Sequence, residues 1–383
     1  MTAAFRRCTD KGAIALAIAT ALAFSAGSTQ AHVVMGRPTL SRLTDDSDLV
    51  VRARIIDPAN EIMLQEPSAR ELVVVAEVLE TLKGSYAKER VRFIQHGHGS
   101  LEYVKGEEVA VFLKRIERSR ELGASSVAKR IRWISEQEAG SKFALDASVR
   151  ADFAAAVRSY AGLTALQPEA RAQAMHRITL ELLASPHQML SSSALRDLVI
   201  AGDASLLSAS DLPTLNRLLA SPDPPIGIRI GLLVELERRG LVDGPPRWVM
   251  LVRTTHGEDC LAVLRAGAAH PSTPLTRELA ALLETEDTQL VAAAALALGS
   301  PGNDTAVAPL AKLLRSDSAR VRMAALRSLG RVATPRARQA LADAAKAHPD
   351  AATRRRAAAE VRVVDQRSAT ATSAPDRASA PRN

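Results

Sequence analysis

Two hydrophobic periods divide the chain, one of two residues and one of three to four. Between residues 49 and 145, apolar and polar positions alternate in short runs. In LVVRARII, Val51, Ala53 and Ile55 alternate with Arg52 and Arg54, the pattern of a strand with one buried face. ELVVVAEVLE (71–80) is a second, more apolar run. RVRFI (90–94) sets Val91 and Phe93 opposite Arg90 and Arg92, and EEVAVFL (107–113) alternates Val109, Val111 and Leu113. RIRWI (130–134) and KFAL (142–145) read as a closing hairpin across QEAG. Six strands separated by Gly, Asn, Pro and charged turns predict a small antiparallel barrel, because closure leaves no exposed edge.

Beyond about residue 150 the pattern turns helical and repeats itself. The string LLASP occurs at Leu182–Pro186 and again at Leu218–Pro222, 36 residues on. ALLETEDTQLVAAAALALG and KLLRSDSARVRMAALRSLG align without a gap at an offset of 31, pairing Leu282 with Leu313, Leu290 with Val321 and Gly299 with Gly330. A fixed period of this size marks stacked supersecondary units that cannot bury their apolar faces alone. In each unit a first helix ends in Leu-Leu. An acidic or Ser-containing turn follows, where Asp287 or Asp317 can cap the next helix. A second helix with paired alanines then ends at Gly299 or Gly330 as a C-cap. About six helix pairs are expected; the one at 245–270, with Trp248 and Cys260, fits the pattern poorly. From Gln366 the Ser, Ala, Thr, Pro and Arg composition reads as a disordered tail.

The opening residues are expected to be a leader. Arg6, Arg7 and Lys11 precede an apolar stretch from Gly12 to Ala26, and Thr29 and Ala31 suit a cleavage site before His32. That places the mature protein in the periplasm or outside the cell, with no later segment apolar enough to span a membrane. Losing three basic residues and Asp10 lowers the formal charge from +8 to +6. Only Cys260 remains, so no internal disulfide can form and stability rests on packing. Aromatics make up 3% of the chain, and Ala and Leu dominate its apolar set, as close-packed helices require.

Two resemblances follow from these residues. The order SDLVVRARII, ETLKG, RVRFI, VKGEEVAVFLK is similar to the netrin-like, OB-type barrel of tissue inhibitors of metalloproteinases, and closer to a class of exported bacterial proteins with this barrel at the mature N-terminus. Asp48-Leu49-Val50-Val51, Leu82-Lys83-Gly84 and Gly106-Glu107-Glu108 carry most of the likeness. The inhibitors chelate zinc through an N-terminal cysteine that this chain lacks, so their chemistry is not implied. SARVRMAALRSLGRV (318–332) resembles HEAT repeats of the short type, whose general role is to offer an extended surface to proteins. The expected architecture is a multi-domain β + α chain: a leader (1–31), an OB/netrin-like barrel (32–147), a HEAT-type solenoid (148–365) and a tail (366–383).

Candidate chemistry is sparse. No nucleophile elbow, phosphate loop, HExxH, CxxC or dinucleotide fingerprint occurs, so no catalytic set and no cofactor are expected. A mature N-terminal His32 could begin a copper-binding brace completed by His96 and His98, or these could be an exposed strand end and loop residues. Arg52, Arg54, Arg90, Arg92, Arg130 and Arg132 could give the barrel a basic exterior for an anionic envelope polymer, or could merely solvate strand faces. Export and the shortage of stacking aromatics argue against nucleic acid. In the last repeats Arg320, Arg322, Arg327 and Arg331 are candidates to meet an acidic partner. The leading expectation is an exported, non-enzymatic scaffold that binds proteins through its repeats. A metal- or polyanion-binding barrel, and an exported hydrolase or hydrolase inhibitor, are the alternatives.

Overall fold

The computed structural model describes residues 38–63, 70–96, 102–116, 131–135, 142–200 and 209–373. These form two compact units, one covering 31–229 and the other beginning at Ile230. The first unit opens with a short helix that strand periodicity did not signal, α1 (Leu40–Asp46). The Thr39 hydroxyl caps it by accepting the Arg42 N–H at 3.3 Å. Six strands follow: β1 (Leu49–Met63), β2 (Arg70–Lys83), β3 (Arg90–His96), β4 (Glu108–Arg115), β5 (Trp133–Ser135) and β6 (Phe143–Ala144).

Five of the strands close a barrel in the order β1-β2-β3-β5-β4, with β4 returning to pair with β1. The register runs Val51 to Val111 across that seam, and β1 meets β2 through several register shifts that bend the long strands around the closure. The expected hairpin between RIRWI and KFAL does not form. β5 instead pairs parallel to β3 at Ile94–Ile134 and antiparallel to β4, while β6 pairs with β4 at Val109–Ala144. β4 is the reason, because its free side offers backbone partners to both short strands, β5 at one end and β6 at the other.

The barrel is buried on two faces. Leu49, Val51, Ala53, Ile55, Val91, Phe93, Val109, Val111 and Leu113 fill its interior. Val50, Ala110 and Phe112 point the other way and form a second core with Leu40 and Leu43 of α1 and with Phe153 and Val157 of α2 (Arg150–Gly162). The continuous apolar letters of LVV and VAVFL are therefore two buried faces read in alternation. α3 (Pro168–Leu183), α4 (Gln188–Ile200) and α5 (Leu212–Ala220) complete this unit, and the division between units falls within α6 (Ile226–Arg238).

The second unit stacks helix pairs: α7 (Gly244–Thr254) with α8 (Gly257–Gly267), α9 (Thr273–Leu282) with α10 (Thr288–Leu298), α11 (Val307–Leu313) with α12 (Ala319–Val332), and α13 (Pro335–Ala347) with α14 (Ala351–Ser373). In the first unit α3 and α4 form a further such pair. Second helices pack on second helices, α8 on α10, α10 on α12 and α12 on α14. The pair at 245–270 departs from the sequence pattern because a fully buried Trp248 fills it. The indole stacks on His270 at 4.8 Å, and its N–H donates to Glu237 at 3.2 Å.

Three expectations about repeat ends are corrected. Asp287 does cap α10, accepting the N–H groups of Gln289 at 2.8 Å and Leu290 at 3.1 Å, but Ser318 rather than Asp317 caps α12. Gly330 is not a C-cap: it lies inside α12, which ends at Ala333 in the left-handed region with φ 54°. Gly299 holds the C-cap position of α10 without left-handed geometry. Both glycines are instead points of close approach. A Cβ on Gly299 would fall 2.8 Å from the Ser328 Cα, and one on Gly330 would overlap the Glu360 carboxylate. The tail does not begin at Gln366, since α14 continues to Ser373. The Arg367 guanidinium donates to the Gly330 carbonyl at 3.2 Å, and Asp365 is bound by Arg338, so docking on α12 and α13 orders a segment whose composition alone would not hold it. Residues 374–383 lie outside the described residues.

Candidate functional site

The most distinctive barrel residues are consumed by the fold. Asp48 accepts the Arg115 N–H at 2.7 Å and donates its own N–H to the Leu113 carbonyl at 2.9 Å, tying the start of β1 to the end of β4. The Lys83 ammonium donates to the Thr44 carbonyl at 2.5 Å and that of Asp45 at 3.2 Å, capping the C-terminal end of α1. Gly84 takes φ 81° against the Asp48 carbonyl, where any Cβ would collide. Glu107 bonds the Val104 N–H and Lys142 across the tight turn at Gly106.

Glu108 gathers the barrel's arginines. Arg52, Arg54 and Arg150 reach it at 3.2, 3.1 and 2.8 Å, while Arg52 also meets Glu80 and Arg54 meets Glu77. Arg158 of α2 is a further partner of Glu80. Burial works to raise the Glu108 carboxyl, but hydrogen bonding and charge from Arg54, Arg150 and Arg52 outweigh it and hold the group below the ordinary range. Arg52 and Arg54 therefore do not present free positive charge. Arg90, Arg92 and Arg132 are exposed, and Arg130 lies outside the described residues.

The copper-brace candidates are not brought together in the described part of the molecule. His32 and His98 lie outside it, as does the side chain of His96, whose backbone ends β3 opposite Glu71. Among the described residues no group of three or more His, Cys, Asp or Glu side chains is placed to hold a metal. His176 pairs with Asp211 at 3.0 Å, His187 with Asp152 at 3.2 Å and His270 with Glu237 at 2.9 Å, each in its own place. Cys260 is buried, and burial pushes its thiol up from the ordinary range, against nucleophilic use. Among the described residues no helix is long and apolar enough to cross a membrane.

The four arginine candidates of the array separate into two kinds. Arg322 is internal bracing: its guanidinium donates to the Ser316 and Asp317 carbonyls, both at 2.8 Å, and reaches Thr353 at 3.2 Å and Asp350 at 3.6 Å in the next pair. Arg354 does the same one unit on, binding the His348 and Pro349 carbonyls at 2.6 and 2.8 Å. Arg229, at the matching place in α6, donates to the Leu219 carbonyl at 2.9 Å. In each case an arginine early in the second helix satisfies carbonyls at or just past the end of the first, a recurring lock that the sequence does not distinguish from surface charge.

Arg320, Arg327 and Arg331 are exposed on α12. The guanidinium groups of Arg320 and Arg327 make no ion pair or hydrogen bond among the described residues, and Arg331 makes one long bond, 3.4 Å, to the Leu296 carbonyl. Positions 320, 323, 327 and 331 follow the helical repeat along one side of α12. The register of 31 carries 320 and 327 back to Gln289 and Leu296 on α10. The Arg322–Arg354 correspondence carries Met323 forward to Arg355 on α14, also exposed and unpaired among the described residues. Leu296, 36% exposed, was not singled out by sequence reading, although the register locates it.

Residues 276–362, which include this surface, match the HEAT repeats family. Among solved structures, a designed armadillo repeat protein in complex with the peptide (KR)4 is 19% identical, covering 50% of this chain and 99% of that one at a TM-score of 0.34. Human deoxyhypusine hydroxylase in complex with glycerol is 17% identical, covering 56% of this chain and 85% of that one at a TM-score of 0.29. No curated protein matches the sequence. The described residues form a five-strand barrel, preceded by the short α1 and followed by 13 α-helices, of which those within 276–362 match HEAT repeats.

Proposed function

We propose that the protein is an exported, non-enzymatic scaffold that binds a protein partner through the second helices of its repeats. The observation that carries this reading is the side of α10, α12 and α14 on which Gln289, Leu296, Arg320, Met323, Arg327, Arg331 and Arg355 recur in register. Stacked repeats build such surfaces from residues far apart in sequence. The basic residues, apolar stretch and Thr29-x-Ala31 of the opening segment support export, with a mature chain starting at His32. The parallel β3–β5 contact within a closed five-strand ring suits an OB-type barrel and supports the netrin-like resemblance.

Radical footprinting of the full mature chain tests the reading, with and without a fractionated envelope extract. Protection of Leu296 and Met323, saturating with extract, is the expected result. Protection confined to barrel residues such as Tyr86 and Trp133 would give the contact to the barrel instead.

A further inference from the structure

Free carboxylates are scarce on the last three second helices of the array. On the first helices Arg253 on α7 pairs with Glu278, Lys312 on α11 with Glu284, and Arg336 and Arg338 on α13 with Asp304 and Asp365, while Arg277 on α9 and Lys346 on α13 are exposed with no carboxylate partner among the described residues. Among the second helices α8 carries Glu258 and Asp259, and those after it differ. α10 contains no charged residue and α12 no acidic one, while the two carboxylates of α14, Glu360 and Asp365, are held by Arg356 and Arg338. Arg320, Arg327 and Arg355 are left exposed with no carboxylate among the described residues, and Arg331 extends their line by one further turn. Seven residues separate Arg320 from Arg327, about 10 Å along the helix, and Arg331 stands about 6 Å beyond.

Apolar contact points interrupt this cationic row. Leu296 occupies the register of Arg327 one repeat earlier, and Met323 lies between Arg320 and Arg327 on the same side of α12. α10, α12 and α14 contain no aromatic residue, so the surface has nothing on which to stack a nucleic-acid base. A hydrated polysaccharide would satisfy the arginines and leave Leu296 and Met323 in water. We infer that this surface docks an acidic protein segment carrying apolar side chains among its carboxylates, the former meeting Leu296 and Met323, the latter meeting Arg320, Arg327 and Arg355. The inference rests on the scaffold reading and names the chemistry of its partner.

The test uses the full mature chain and two fluorescent ten-residue peptides of equal charge, one of glutamate and leucine, the other of glutamate and serine, with heparin as a sulfated competitor. The glutamate–leucine peptide should bind more tightly, and its affinity should fall as salt rises. R320E combined with R327E should weaken it about tenfold or more. Because neither side chain makes a bond among the described residues, the thermal midpoint of that variant should stay put, confirming that binding and not folding was lost. L296S should weaken the leucine-containing peptide alone. Three results would each overturn the inference: no peptide binding at low salt, binding indifferent to the double reversal, or heparin binding more tightly than either peptide with L296S without effect. If Met323 is still protected by envelope extract while both peptides fail, the docking surface stands and only its acidic partner is wrong.

Discussion

At the scale of single residues, several side chains do work that their letters conceal. Asp197 is buried where α4 meets α1, with the Ser41 hydroxyl donating to it at 2.6 Å. Burial pushes its carboxyl up, against hydrogen bonds from Ser41 and Thr39 and the charge of Arg196. The folded state therefore holds this proton more tightly than the unfolded chain does. Its contribution to stability is greatest below the ordinary carboxylate range and is lost as pH rises through the raised value. D197N keeps an oxygen acceptor for Ser41 and cannot ionise, so thermal melts across pH should show a higher midpoint at neutral pH and a weaker decline on leaving acid; an unchanged profile would remove Asp197 as its source. Ala333 is the one non-glycine residue with positive φ among those described, and A333G should raise stability by about 1 kcal/mol in denaturant titration. The two repeat glycines should respond unequally to alanine. G299A meets the backbone of Ser328 and should cost about 1–3 kcal/mol, whereas G330A meets the movable end of Glu360 and gains helix propensity, leaving it near neutral. Equal losses would refute the distinction.

At the scale of elements, alternation and apolar runs located the six described strands, and the 31-residue register located the helices between Leu282 and Gly330, because burial writes both patterns directly. Pairing is harder to read. The β3–β5 contact joins strands distant in the chain, and nothing within RIRWI announces a parallel neighbour. α1 is only 7 residues long, too short for a helical period to stand out. Close approach and C-capping both favour glycine, so the sequence reads Gly330 as a C-cap although it lies within α12 against Glu360. Arg320 and Arg322 likewise look alike in SARVRMAALRSLG, although one is exposed and the other bridges two repeats. R322A should cost about 1–3 kcal/mol through the carbonyls it strands, while R320A should stay within about 0.5 kcal/mol. Urea unfolding of the two variants side by side decides the point, and a silent R322A would mean that the lock is ornamental.

At the scale of the whole molecule, the division expected near residue 147 and the compact units of the structure differ in a way that can be measured. Phe112 and Phe143 of the barrel share a core with Phe153 of α2, their rings 5–7 Å apart in mutual contact. A fragment of residues 32–147 should expose that core and aggregate, whereas one ending at residue 229 should remain monomeric in size-exclusion chromatography. A soluble, cooperatively folding 32–147 fragment would support the boundary at residue 147. Function was less legible than fold for a physical reason. The barrel's conspicuous residues (Asp48, Lys83, Glu107, Glu108) are spent on holding it together, while the array's free surface is built from ordinary residues one helical turn or one repeat apart. The account therefore turns on whether that surface is where contact occurs. A photo-crosslinking amino acid placed at Arg327, and separately at exposed Arg92 on the barrel, tests this in cells with the full chain. The account predicts a discrete, reproducible adduct from position 327 and none from position 92; an adduct from position 92 alone would contradict it.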